Sequence, residues 1–334
     1  MTAILETPIL LLDGGLGTTL ADHYDCTFDE TAPLWSSQLL LTDPAKLSDC
    51  QSAFAGAGAD IILSATYQAS YEGFRLSGVG EEEAGVSMRS AVKISSDAFE
   101  AKSDGTLVVT DEGKQKKGMV ALSLGAYGAT MIPGQEYSGL YDPVHSDLDS
   151  LRAWHLTRLK AFFPSSSPSS SDAEDLEKRQ CWDLVDLVAF ETLPRVDEIL
   201  AVRSVMSLLP QTSTVPTKPF WIACVFPGEK NCLPDGTVVS EIAAAMLGQK
   251  HGGGAKVPMG VGINCTKVGK IESLVEEFEN AIRDMIQGGE VGEWPSLVVY
   301  PDGTNGEVYN TTTKEWEKKE GAHDSSVSAP IFGS

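Results

Sequence analysis

Seven short runs rich in Val, Ile and Leu recur along the chain, at residues 9–15, 60–70, 119–126, 184–192, 220–226, 260–265 and 297–302. Each ends in small or polar residues. Continuous apolar runs of this length suit strands of a parallel sheet covered on both faces. Amphipathic stretches lie between many of them. Asp43-Pro44 is a helix start, and Leu47, Cys50, Phe54 and Ala57 follow it at spacings of three and four. Ile271, Leu274, Val275, Phe278, Ile282 and Met285 share one helical face, and Val196, Ile199, Leu200 and Met206 share another. Strand then helix, repeated, means a parallel α/β sheet. Polar chemistry gathers at the carboxyl ends of the runs, which favours a (β/α)8-type TIM barrel over a doubly wound sheet. No run is followed by a GxGxxG or P-loop pattern.

A closed barrel of this type takes eight strands, and the sequence offers seven. Residues 306–309 read as a turn-like piece, so the eighth strand and last helix are expected to be missing. The expected organisation is one barrel over residues 1–317, with disordered insertions near 102–117 and 164–172, and a disordered tail over 318–334.

Charge removes several function classes. The 25 basic residues face 47 acidic ones, for a formal net charge of −22. No basic stripe exists to neutralise phosphates or to meet an anionic membrane, so neither nucleic acid nor membrane is an expected partner. The excess acid suits solubility and is compatible with a cationic small molecule. Residues 1–12 carry no basic residue and are interrupted by Glu6 and Pro8, unlike a secretory signal. No apolar stretch reaches the roughly 20 residues that span a bilayer. Six cysteines without a CxxC pair read as reduced thiols, and the expected location is the cytoplasm.

Four strand ends carry candidate chemistry. The first closes on Asp13-Gly14-Gly15, where glycine lets backbone approach a ligand closely. The same residues would serve as a capped turn. The second run ends in Thr66-Tyr67-Gln68-Ala69-Ser70, a dense set of hydrogen-bonding groups. In the fourth, Glu191 follows the apolar residues up to Phe190. A carboxylate there is costly to bury unless it meets a cation, and it would otherwise sit in water. The sixth ends in Gly262-Ile263-Asn264-Cys265, and that thiol could be a metal ligand, a nucleophile or a small buried hydrophobe. The histidines at 23, 145, 155, 251 and 323 show no ligand spacing. No strand-end lysine offers the Schiff base of an aldolase-like barrel.

Taken together and in order, these motifs resemble the homocysteine S-methyltransferase family, closest to its S-methylmethionine-using branch. Carrying the resemblance are Leu12-Asp13-Gly14-Gly15-Leu16-Gly17-Thr18-Thr19, Pro33-Leu34-Trp35-Ser36, Ala57-Gly58-Ala59-Asp60, the 66–70 run and Gly73-Phe74. Phe190-Glu191-Thr192, Gly262-Ile263-Asn264-Cys265, Val299-Tyr300-Pro301 and Gly306-Glu307-Val308-Tyr309-Asn310 complete it. The resemblance implies a barrel that holds zinc through three thiolates, one of them Cys265, and transfers a methyl group from S-methylmethionine or S-adenosylmethionine to homocysteine. It implies that Asp13 and Glu191 hold the amino group of homocysteine, that Gly14 and Gly15 shape that end, and that Tyr67 and Gln68 line the donor pocket.

The sequence departs from the family at one point. The other two thiolates come from a Cys-Cys pair on the last strand, and no such pair occurs here. Cys224 and Cys232 are the remaining thiols that could approach Cys265. The chain is therefore expected to be shortened at its carboxyl end, to bind zinc poorly and to turn over slowly. A barrel-derived, non-catalytic amino-acid-binding protein is the alternative from another class.

Overall fold

The computed structural model describes residues 9–28, 32–100, 118–164, 172–212, 215–249, 255–303, 307–310 and 315–318. In chain order the helices are α1 (Leu16–His23), α2 (Leu39–Thr42), α3 (Pro44–Ala57), α4 (Tyr71–Leu76), α5 (Glu81–Asp97), α6 (Leu148–Leu159), α7 (Ala173–Leu184), α8 (Val196–Thr212), α9 (Val239–Leu247) and α10 (Ile271–Gln287). The strands are β1 (Ile61–Leu63), β2 (Met119–Gly125), β3 (Leu187–Leu193), β4 (Phe220–Cys224), β5 (Gly260–Lys267) and β6 (Ser296–Asp302), then β7 (Glu307–Asn310) and β8 (Glu315–Lys318).

Strands β1 to β6 lie side by side in sequence order, every pair parallel. Alternation along the strands separates two layers. Val120, Leu122, Leu124, Val188, Phe190, Phe220, Ile222, Val261 and Ile263 pack with the helices in the larger core. Ala121, Leu187, Ala189, Trp221 and Ala223 face the other way and cluster with Leu12, Val298 and Tyr300 from the two ends of the sheet. Apolar side chains from both ends of the sheet share this one cluster, as a curled sheet places them, giving a half-barrel of TIM-like layout. Polar Ser123, Glu191 and Asn264 continue the inner alternation at the carboxyl ends of β2, β3 and β5. The fold thus collects chemistry on one rim.

The helix starts follow local chemistry. Pro44 opens α3 with φ already set, and the Asp43 carboxylate accepts the Lys46 N–H (3.2 Å). Gly58, at φ 111°, ends that helix in the left-handed region. On α10, Leu274, Phe278 and Ile282 are buried as their spacing indicates.

Several sequence expectations need correction. The 9–15 run makes one parallel bridge, Leu12 to Ile61, because Asp13-Gly14-Gly15 turns at once into α1. The sheet therefore has six strands rather than seven. The 60–70 run yields a three-residue strand and then a tight loop, closed by the Thr66 N–H on Ser64 O (2.7 Å). The turn-like piece at 306–309 falls largely on β7, which pairs antiparallel with β8. Asp172, placed in an insertion, instead caps α7 by accepting the Glu174 N–H. Pro164, at the other end of that insertion, is buried; residues 165–171, the insertion at 102–117 and residues 319–334 of the tail lie outside the described residues. Among the described residues β6 has no further parallel neighbour, and no helix is long and apolar enough to cross a membrane.

Candidate active site

At the carboxyl rim the backbone leaves regular geometry in two places. Thr192 and Cys265 adopt left-handed conformations, with φ of 59° and 47°, where the strand registers of β3–β4 and β5–β6 shift. A β-branched residue in that region is an outlier that costs on the order of 1–3 kcal/mol, and bulges with such strain gather where a side chain must be re-aimed. Asn264 stabilises both. Its Oδ1 accepts the Thr192 N–H (2.9 Å), and its Nδ2 reaches Thr192 Oγ1 (2.7 Å) and Cys265 Sγ (3.3 Å). The Thr192 hydroxyl also donates to Cys265 Sγ (3.6 Å), and the Tyr137 hydroxyl hydrogen-bonds the same sulfur. Burial, then the nearby Asp302 charge, push the Cys265 thiol up to about 12.

Glu191 precedes Thr192 on β3 and lies on the inner face. The Ser123 hydroxyl donates to its Oε1, and the Tyr300 hydroxyl also hydrogen-bonds it. Burial pushes its carboxyl from 4.5 to about 7, against those hydrogen bonds and the Arg158 charge. Tyr300 is itself oriented by Trp221, whose indole N–H donates to its oxygen (3.2 Å).

Asp13 approaches from the first strand position. Its Oδ2 accepts the Leu63 N–H (2.9 Å), while Oδ1 is shielded from water and has no hydrogen-bond partner. Burial raises this carboxyl well above the usual range, and the Glu191 charge adds to the effect. Gly14 and Gly15 are exposed beside it. A Cβ on Gly14 would lie 2.8 Å from the Phe54 ring, so glycine is what fits.

Tyr67 and Gln68 cover the same rim from the loop after β1. Tyr67 hydrogen-bonds Thr192, and Gln68 Nε2 donates to Ala129 O (3.1 Å). Gln68 Oε1 is buried without a partner. The Tyr67 backbone packs onto Gly125, where a Cβ would come within 2.7 Å of both the Tyr67 ring and its carbonyl oxygen.

The fold thus brings Asp13, Tyr67, Gln68, Glu191 and Cys265 together from distant parts of the sequence. It does not bring Cys224 or Cys232. Cys224 lies on the helix-facing side of β4, fully buried in the larger core, and Cys232 pairs with Val238 in a loop bridge. All six cysteines are among the described residues, and no three His, Cys, Asp or Glu side chains there could hold a metal ion. Sequence reasoning missed Ser123, Tyr137 and Arg158 and gave Tyr300 no role. Ser123 and Tyr300 sit at inward positions of their strands, so strict alternation would have flagged them. Tyr137 comes from an irregular loop that carries no such signal.

Comparison with known proteins agrees with this geometry. A family model described as homocysteine S-methyltransferase matches residues 10–333. Homocysteine S-methyltransferase 2 of Arabidopsis thaliana is 31% identical over 318 residues, covering 94% of this chain and 81% of the relative. Selenocysteine Se-methyltransferase of Brassica oleracea var. italica is 31% identical over 313 residues, covering 93% and 77%. The crystal structure of the homocysteine methyltransferase MmuM from Escherichia coli, in its metallated form, superposes with a TM-score of 0.65 at 26% identity, covering 91% of this chain and 87% of that one. With a match of that span on a parallel half-barrel that gathers the motif residues at one rim, the chain belongs to the homocysteine S-methyltransferase family.

Proposed function

We propose that this chain transfers a methyl group from S-methylmethionine, or alternatively S-adenosylmethionine, to the thiol of homocysteine, forming methionine. The observation that carries this reading is the acid pair. Asp13 and Glu191 are both held above their ordinary pKa range by burial, and Asp13 Oδ1 has no donor. Two water-shielded carboxyls facing one space are complementary to a cation, and the ammonium of an amino acid supplies both charge and N–H donors. Gly14 and Gly15 leave room for the amino-acid backbone. Tyr67 and Gln68 line the side on which the methylsulfonium would lie, where an aromatic face favours a cation and excludes water.

The transfer is a single displacement. The homocysteine thiol gives up its proton to solvent, the sulfur attacks the methyl carbon, a carbon–sulfur bond forms, and the sulfonium bond breaks with its electron pair returning to the donor sulfur. With S-methylmethionine, both products are methionine.

The family resemblance implies zinc held by three thiolates, and the residues present do not fit that group. Cys265 is the one thiol at the rim, and no metal-binding cluster forms among the described residues. A homocysteine thiol with an ordinary pKa of about 8.5 is only about 3% ionised at pH 7, so slow turnover is expected.

The reading is tested by calorimetric titration with homocysteine and with 4-mercaptobutanoate, which lacks only the amino group. Homocysteine should bind, and the des-amino analogue should bind at least about tenfold more weakly. Equal affinity would remove Asp13 and Glu191 from substrate recognition.

A further inference from the structure

Arg158, near the end of α6, is 2% exposed. Among the described residues no carboxylate forms an ion pair with it. Its Nη1 donates to Gly125 O (2.8 Å), and its Nη2 donates to Thr66 O and Tyr67 O (both 2.6 Å). The guanidinium lies 5.2 Å from the Trp154 ring centroid. A buried cation held by main-chain carbonyls is an expensive way to fill space, since an apolar residue of similar size would pack there without the desolvation cost.

The three carbonyls identify what is fixed. Thr66 and Tyr67 belong to the loop after β1, and Gly125 ends β2. The Gly125 N–H donates to the same Tyr67 oxygen (3.0 Å), so Arg158 closes a clamp across two strand ends. Asp13 and Glu191 are held by other groups, namely Leu63, Ser123 and Tyr300. By hydrogen bonds the clamp therefore holds the donor side only, while Glu191 on the other side feels the Arg158 charge, which Arg158→Lys keeps.

We propose that Arg158 is a positioning residue that fixes Tyr67 and Gln68, and with them the methyl-donor side of the pocket. A planar guanidinium can bridge three carbonyls at once; an ammonium keeps the charge but has a single nitrogen. This inference rests on the donor pocket proposed above.

The test is Arg158→Lys, with amide hydrogen exchange over residues 64–70 and calorimetric titration of S-methylmethionine and of homocysteine. Exchange in 64–70 should accelerate at least about tenfold while α10 is unchanged. S-methylmethionine affinity should fall about tenfold and homocysteine affinity should stay within about twofold. Equal weakening of both ligands would mean a general structural role and overturn the proposal, as would unchanged exchange. Should Arg158→Lys fail to fold, Arg158→Gln, which keeps two N–H donors, takes its place on the exchange and S-methylmethionine criteria, because it also removes the charge that acts on Glu191. Gln68→Ala completes a cycle, and its effect on S-methylmethionine affinity should largely vanish in the Arg158 variant; full additivity would overturn the coupling. If the parent protein binds no S-methylmethionine, the donor-pocket reading fails and this inference with it; the exchange result then separately shows whether the clamp exists.

Discussion

Replacing Glu191 by glutamine should stabilise the protein, and only at high pH. Burial raises the folded-state pKa of Glu191 from 4.5 to about 7. Between those values the unfolded chain has released this proton and the folded chain still holds it. The contribution of this group to stability therefore falls as pH rises from 4.5, and levels off above 7. A difference of about 2.5 units corresponds to a destabilisation of about 3 kcal/mol at pH 8. Glutamine has the shape of the neutral acid and can still accept from Ser123 and Tyr300, although hydrogen bonds to a neutral group are weaker by about 1 kcal/mol. The net expectation at pH 8 is a gain of about 2 kcal/mol, and at pH 4.5 a difference within about 1 kcal/mol. Urea denaturation at the two pH values measures both. A variant less stable at pH 8, or a gap that is the same at both pH values, would refute the reasoning. Homocysteine at saturating concentration should close the gap from the other side, by stabilising the parent protein and not the variant.

Asn264→Ala strands the Thr192 N–H and should cost about 2 kcal/mol, seen as a fall in thermal midpoint of about 3 °C; a loss under 1 kcal/mol would show that the two left-handed residues hold themselves. With its thiol at about 12, Cys265 should be alkylated by iodoacetamide at pH 8 roughly a thousandfold more slowly than a free cysteine, as measured by peptide mass spectrometry; rapid labelling would contradict the hydrogen-bonded thiol described here. Zinc by elemental analysis should fall well below one per chain after dialysis, because one thiolate cannot close a tetrahedral shell; stoichiometric zinc would mean that ligands come from outside the described residues.

Much of the architecture was legible because burial writes itself into composition. Runs such as 119–126 and 220–226 are apolar on both faces and became β2 and β4 almost unchanged. Leu274, Phe278 and Ile282 marked α10 by spacing alone. The failures have local causes. The 9–15 and 60–70 runs have the apolar length of whole strands, but Asp13-Gly14-Gly15 and Ser64-Ala65-Thr66 turn the chain early and present side chains at the rim. The 306–309 piece is short enough to look like a turn, yet its residues 307–309 lie in a hairpin strand. In the site, Asp13, Glu191 and Cys265 stood at strand ends and could be named from position. Arg158 could not, since nothing in the sequence tells a buried arginine bound to carbonyls from one facing solvent. Neither could the Thr192 and Cys265 backbone strain, which arises only when Asn264 spans two strands.

The proposed reaction is methyl transfer to homocysteine at the Asp13–Glu191–Cys265 rim. Its most direct test uses homocysteine uniformly labelled with carbon-13 and unlabelled S-methylmethionine, with protein in excess over substrate, and follows labelled methionine by mass spectrometry. Labelled methionine should appear slowly but clearly faster than without protein, and Glu191→Ala should reduce it to the uncatalysed rate. No labelled methionine above the protein-free control, or the same rate in the variant, would contradict the account.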